Sequence, residues 1–96
     1  ENIYCAELER VFHTFPGVLD VAAFGVPDER WGERVVLAVV PAPSREVDLE
    51  ALKAHGRAQL ADYKNPSEVI LFHEPLPRND LGKVLIREWV ALAGRS

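Results

Sequence analysis

Along the first fifteen positions the larger apolar residues recur as Tyr4, Leu8, Val11, Phe12 and Phe15. Steps of three and four place them on one side of a helix, predicted over Ile3 to Phe15 and broken by Pro16-Gly17. Val18 to Val26 is rich in valine, alanine and phenylalanine and stops at Pro27-Asp28, the pattern of a strand running into a loop over Glu29 to Glu33. Val35 to Val40 is an uninterrupted apolar run, too short for an ordinary helix and rich in β-branched side chains, which predicts a buried central strand ended by Pro41 and Pro43. Asp48 is placed to N-cap a second helix that carries Leu49, Leu52, Gly56 and Leu60 on one side, has Glu50 in its first turn and ends near Asp62-Tyr63. Val69 to Phe72 predicts a third short strand, Pro75 to Gly82 a turn-rich loop, and Ile86 to Ala93 a closing helix. The order αββαβα, with no repeat, low-complexity tract or internal linker, predicts an α+β domain. Its three-stranded sheet is expected to be small, mostly antiparallel and packed by helices.

Length and composition set bounds on what such a domain does. Ninety-six residues, 48% hydrophobic and 27% charged, make one domain, 1–96, able to hold a core but too small to enclose a ligand, so any site is expected to be shared with a partner. A net charge of -4 gives no general basic field for nucleic acid or anionic membrane. No apolar run approaches the roughly 20 residues that span a bilayer, and no signal-peptide pattern opens the chain. Cys5 is the single cysteine; it allows no internal disulfide, and a reducing cytoplasm is the simplest compartment. The sequence has no methionine, which points to a piece of a longer polypeptide with a missing portion upstream.

The segment richest in chemistry is Leu76-Pro77-Arg78-Asn79-Asp80-Leu81-Gly82-Lys83-Val84-Leu85-Ile86-Arg87, where a loop bounded by proline and glycine presents a lysine just before a new element. Taken alone, Lys83 also reads as a solvated surface lysine after a β-turn. It is not a phosphate-binding P-loop lysine, because the upstream glycine and the following Ser or Thr are absent. His13, His55 and His73 lie far apart with no Cys or acid at zinc-ligand spacing, so no metal site is assigned. Cys5 has no evident base and orienting acid. Ser44, Ser67 and Ser96 lack a nucleophile-elbow pattern. Asp28, Glu29 and Glu33 are expected to form a solvated loop face.

The Lys83 segment closely resembles the lysine loop of the acyl-adenylate-forming enzymes, the superfamily of acyl- and aryl-CoA ligases, adenylation domains and luciferases. Three further segments resemble that family in the same order: Glu1-Asn2-Ile3-Tyr4, Gly25-Val26-Pro27-Asp28-Glu29-Arg30-Trp31-Gly32-Glu33, and Tyr63-Lys64-Asn65-Pro66. The resemblance spans nearly the whole chain and is greatest to the acyl-CoA ligases. Cys5 stands where the family usually has proline, and the hinge and its preceding glycines are not in the sequence. Some relatives carry a histidine near the end of the first helix; Phe15 stands before Pro16 here, and no metal site is transferred.

The resemblance implies a mobile C-terminal lid working on a larger N-terminal adenylation domain. A carboxylic acid would attack ATP, held with Mg²⁺ mainly by that larger domain, to give acyl-AMP, and CoA would then take the acyl group. It implies that Lys83 is the catalytic lysine of the first half-reaction, its ammonium offsetting charge on carboxylate and phosphate oxygens. Asn2, Ile3 and Tyr4 would belong to the thioester-forming face, and Arg57, Trp31 and Asn65 would face CoA. Each has a plainer reading as well: Arg57 as an exposed arginine paired with an acid, Trp31 as packing for its loop, Asn65 as the shaper of a turn before Pro66. The loop around Lys83 also resembles the setting in which a lysine acetyltransferase inactivates related ligases. Two rival functions stand beside this one. One is the lid of an adenylation domain that loads a carrier protein; the other is a non-catalytic binding or regulatory module of the same fold.

Overall fold

The structure, a computed structural model, describes residues 3–30, 32–61, 64–76 and 78–80. Helix α1 covers Ile3–His13, strands β1 and β2 cover Val18–Asp28 and Gly32–Pro41, helix α2 covers Leu49–Gln59, and strand β3 covers Glu68–Leu71. The expected closing helix over Ile86 to Ala93 lies outside the described residues. The strands form one sheet in the order β1-β2-β3. The long junction, β1 with β2, is antiparallel; the short one, β2 with the four-residue β3, is parallel. A parallel return needs a crossover, and α2 supplies it.

Alternation along the strands explains the unbroken apolar run. Val21, Ala23, Leu37 and Val39 point to one face, where they join Cys5, Leu8, Val11 and Phe12 of α1 and Leu52 of α2 in a single core. Ala22, Phe24, Val36, Ala38 and Val40 point to the other, where Leu76 packs on them. With both faces of β2 buried, no polar residue alternates with the apolar ones.

Beside shifts of one or two residues at the C-terminal ends of α1, β1 and β2 and at both ends of β3, two boundaries and one irregularity differ from expectation. β2 begins at Gly32 rather than Val35, because Gly32 adopts φ +81°, a conformation glycine tolerates without strain, and so Asp28 pairs directly with Gly32. Glu33 therefore sits on a strand, exposed as expected, and not in a loop. α2 ends at Gln59: the Leu60 N–H donates to the Gly56 carbonyl, after which Leu60 turns extended and buries its side chain. At the start of that helix Asp48 accepts from the Glu50 N–H at 3.0 Å, the cap its sequence position called for. The third difference is a β-bulge in β1, where Leu19 is inserted between the pairs Val18–Pro41 and Asp20–Val40 and stands 55% exposed.

Candidate functional site

Lys53 and Arg57 are four residues apart on α2, so they project one turn apart from the same exposed face. Both line an open groove of about 390 Å³, floored by Phe12 and Val69 and closed on the far side by Asn65, Pro66, Ser67 and Glu68. The one acid among the described lining residues is already engaged: Glu68 accepts from Arg34 at 2.6 Å. Lys53 and Arg57 make no ion pair among the described residues, so the groove presents two unengaged cations.

The far wall is fixed by the backbone. The Lys64 N–H donates to the Ala61 carbonyl at 2.9 Å and the Ser67 N–H to the Val35 carbonyl at 2.9 Å, while the Lys64 ammonium lies 3.2 Å from Glu7 on α1. Asn65 donates from Nδ2 to the Ala61 carbonyl. It can lie against α2 because Gly56 has no side chain: a Cβ there would overlap both the Phe12 ring and the Asn65 side-chain oxygen. Two cations one turn apart, one a compact ammonium and one a planar guanidinium, beside a partly apolar floor suit a phosphorylated ligand with an apolar portion. The groove is open, in keeping with a site completed by another surface.

Of the residues singled out in the sequence, Arg57 and Asn65 come together in this groove. Arg57 is not paired with an acid among the described residues, whereas Asn65 does shape its turn. Ile3 and Tyr4 open α1; Asn2, Trp31 and Lys83 lie outside the described residues. Lys53 was missed, although its four-residue spacing from Arg57 was legible. His55 is a packing residue: it meets Phe12 and Phe15 edge-on, and its Nε2 lies 3.0 Å from Thr14 Oγ1 and 3.1 Å from the Val11 carbonyl oxygen. His13 and His73 are exposed. Cys5 is buried in the core. Ser44 occupies a turn with φ +64°, and no group of three or more His, Cys, Asp or Glu among the described residues is placed to hold a metal ion. No helix among them is long and apolar enough to cross a membrane.

Residues 7–83 match the family model described as the AMP-binding enzyme C-terminal domain, a span that closes on Lys83. The chain belongs to this family. Among its relatives, a long-chain-fatty-acid–CoA ligase of Mycobacterium tuberculosis is 46% identical over 85 residues, which are 88% of this chain and 16% of the relative. A 4-chlorobenzoate–CoA ligase of a Pseudomonas species is 44% identical over 89 residues, 92% of this chain and 17% of the relative. Among solved structures, a Mycobacterium tuberculosis fatty acyl-CoA synthetase superimposes with a TM-score of 0.81 at 41% identity, over 97% of this chain and 19% of that one. The chain thus spans about one-sixth of the length of these curated relatives, and the α+β fold with a three-stranded sheet is that of the family's C-terminal domain.

Proposed function

We propose that residues 1–96 form the C-terminal lid of an AMP-forming carboxylic acid–CoA ligase, acting on an N-terminal adenylation domain carried by the same polypeptide. In the first half-reaction a substrate carboxylate oxygen attacks the α-phosphorus of ATP and pyrophosphate leaves, giving acyl-AMP. In the second, the CoA sulfur attacks the acyl carbonyl and AMP leaves. Lys83 serves the first step, its ammonium offsetting negative charge where carboxylate and phosphate oxygens meet. Rotation of the lid then exchanges that loop for the surface that includes Asn2, Ile3 and Tyr4, since two reactions at one acyl centre need different groups around it. ATP and its Mg²⁺ would be held mainly by the larger domain.

The observation that supports CoA as acceptor is the groove, where Arg57 and Asn65 are joined by Lys53 and the acid is already engaged by Arg34. CoA carries a 3′-phosphate and a diphosphate; a phosphopantetheine arm on a carrier protein carries neither the 3′-phosphate nor the adenosine. Two unengaged cations suit the first acceptor better. A non-catalytic module would have no need of the lysine loop. The same ammonium makes Lys83 a point of control, because acylation by a lysine acetyltransferase would remove its charge and reproduce the effect of Lys83→Ala. The buried Cys5 thiol, outside any disulfide, fits a reducing cytoplasm.

The test is kinetic. In the full ligase, Arg57→Ala should raise the Michaelis constant for CoA about 10-fold, the scale of one charge-assisted hydrogen bond, while leaving that for ATP in place. Dephospho-CoA should be the poorer substrate of the wild type and respond less to the substitution. Equal kinetics with the two acceptors in both proteins would remove the role.

A further inference from the structure

A second open groove lies at the other end of the sheet from the Lys53–Arg57 groove. β2 and β3 run parallel, and Glu68, which helps close the first groove, pairs with Val36 at the start of their register. Past the far end of those strands, a groove of about 540 Å³ is floored by Val40 and Leu76 and rimmed by Leu19, Pro43 and Pro75. Val40 and Leu76 belong to the sheet face turned away from α1 and α2. All three rim residues are exposed, and Leu19, at 55%, is the one large hydrophobic residue in that state among the described residues. The bulge in β1 puts it there, since an inserted residue re-aims its side chain. The Lys53–Arg57 groove is floored instead by Phe12 of the core beneath the helices and by Val69 packed against it. The two grooves thus have their floors on opposite faces of the sheet, at opposite ends.

We propose that the Leu19 groove is the surface by which the lid docks on its own N-terminal adenylation domain during adenylation. The proposal rests on the functional reading above, with the Lys53–Arg57 groove as the CoA side. Among the described lining residues the formal charges are Asp20, Glu74, Arg45 and Arg78, two of each sign, and Asp20 and Arg78 are paired with each other. A rim without net charge attracts neither a polyphosphate nor an anionic membrane. An apolar centre inside a rim of mixed charge is the make-up of a protein interface. Arg45, exposed and with no ion pair among the described residues, calls for a carboxylate opposite it. The chain spans about one-sixth of the length of its curated relatives. A larger domain on the same polypeptide meets this groove at a far higher effective concentration than a separate protein does. When CoA reacts, the Lys53–Arg57 groove faces that domain, and the Leu19 groove, on the other sheet face, is turned away from it. The Leu19 groove comes round in the adenylation pose, so burying Leu19 there favours that pose alone.

The test separates the half-reactions in the full ligase: pyrophosphate release for adenylation, and acyl transfer from a supplied acyl-adenylate to CoA. Light scattering reports oligomeric state and a thermal melt reports folding. The variants are Leu19→Asn, polar and of similar size; Leu19→Met, which stays apolar; Arg45→Gln; and Arg57→Ala as comparator. Leu19→Asn should lower adenylation kcat about 10-fold, the scale of burying the exposed half of a leucine, with acyl transfer and melt as in wild type. Leu19→Met should keep nearly the wild-type rate, and Arg45→Gln should lose about 3-fold, less at high salt. Wild-type adenylation by Leu19→Asn overturns the docking surface, and wild-type adenylation by Arg45→Gln overturns the carboxylate opposite it. Loss of both half-reactions to the same degree in Leu19→Asn also overturns the surface, as a general packing defect. A wild-type dimer that Leu19→Asn splits into monomers overturns it in favour of a second copy as occupant. An unchanged Michaelis constant for CoA in Arg57→Ala overturns the CoA reading beneath the proposal, and with it the pose assigned to this groove.

Discussion

Replacing Gly56 by alanine sets helix propensity against packing, and the structure decides which wins. In an exposed helix interior the change is favourable by about 1 kcal/mol. Gly56 is not exposed: it is buried on α2, and the new methyl group would overlap the Phe12 ring and the Asn65 oxygen. Phe12 is fully buried in the core, wedged among neighbours on α1, the sheet and α2, so its ring cannot swing clear. Asn65 belongs to a turn held by the Lys64–Ala61 and Ser67–Val35 backbone bonds. Overpacking of this kind costs typically 1–3 kcal/mol, and subtracting the propensity gain leaves a net loss of about 1 kcal/mol. For a domain of this size that lowers Tm by about 4–8 °C. Thermal unfolding followed by far-ultraviolet circular dichroism on the purified chain gives the answer, with wild type as reference. A Tm at or above wild type would refute the claim that the close approach of Phe12 and Asn65 requires glycine.

Gly25 makes the contrast. The nearest atoms that a Cβ there would overlap belong to the end of the Glu33 side chain, which is exposed and free to move. Gly25→Ala should therefore shift stability by no more than about 0.5 kcal/mol, as read in the same melt. Lys53→Ala should raise the Michaelis constant for CoA in the same direction as Arg57→Ala. Its effect should shrink as ionic strength rises, because an exposed ammonium acts mainly through its charge; an effect independent of salt would argue against direct phosphate contact.

Most of the architecture could be read from local chemistry. Asp48 followed by an apolar stripe named the start of α2, and Pro16-Gly17 named the end of α1. Gly17 does so through φ +91°, as the residue that turns the chain into β1. The unalternating Val35–Val40 run named a strand covered on both faces. The parallel junction with β3 was harder to see, since four residues carry no mark of strand direction; that follows from the α2 crossover, a long-range fact. The bulge at Leu19 was likewise invisible, because a single inserted residue leaves no signature in an apolar strand. Leu60 was read as part of a helix running on to Asp62-Tyr63. It leaves the helix instead because its side chain is buried in the core beneath the sheet, a tertiary reason that a helical stripe cannot show. At the site, Arg57 and Asn65 were singled out from resemblance alone. Lys53 could have been found from its four-residue spacing to Arg57 on α2, whereas the Arg34–Glu68 pair that engages the groove's acid emerges only when β2 and β3 are brought together.

The most direct test of the whole account is the effect of Lys83→Ala on the two half-reactions of the full ligase, measured by rapid mixing with a thermal melt as control. The residue is expected to approach the reacting carboxylate only in the adenylation pose. Loss of one preorganised electrostatic donor commonly costs on the order of 10² to 10³ in rate. Pyrophosphate release should fall by that factor, acyl transfer from supplied acyl-adenylate to CoA should proceed at the wild-type rate, and Lys83 acetylated in the wild-type enzyme should behave like the alanine variant. Adenylation by Lys83→Ala at nearly the wild-type rate, in a protein with an unchanged melt, would contradict the account.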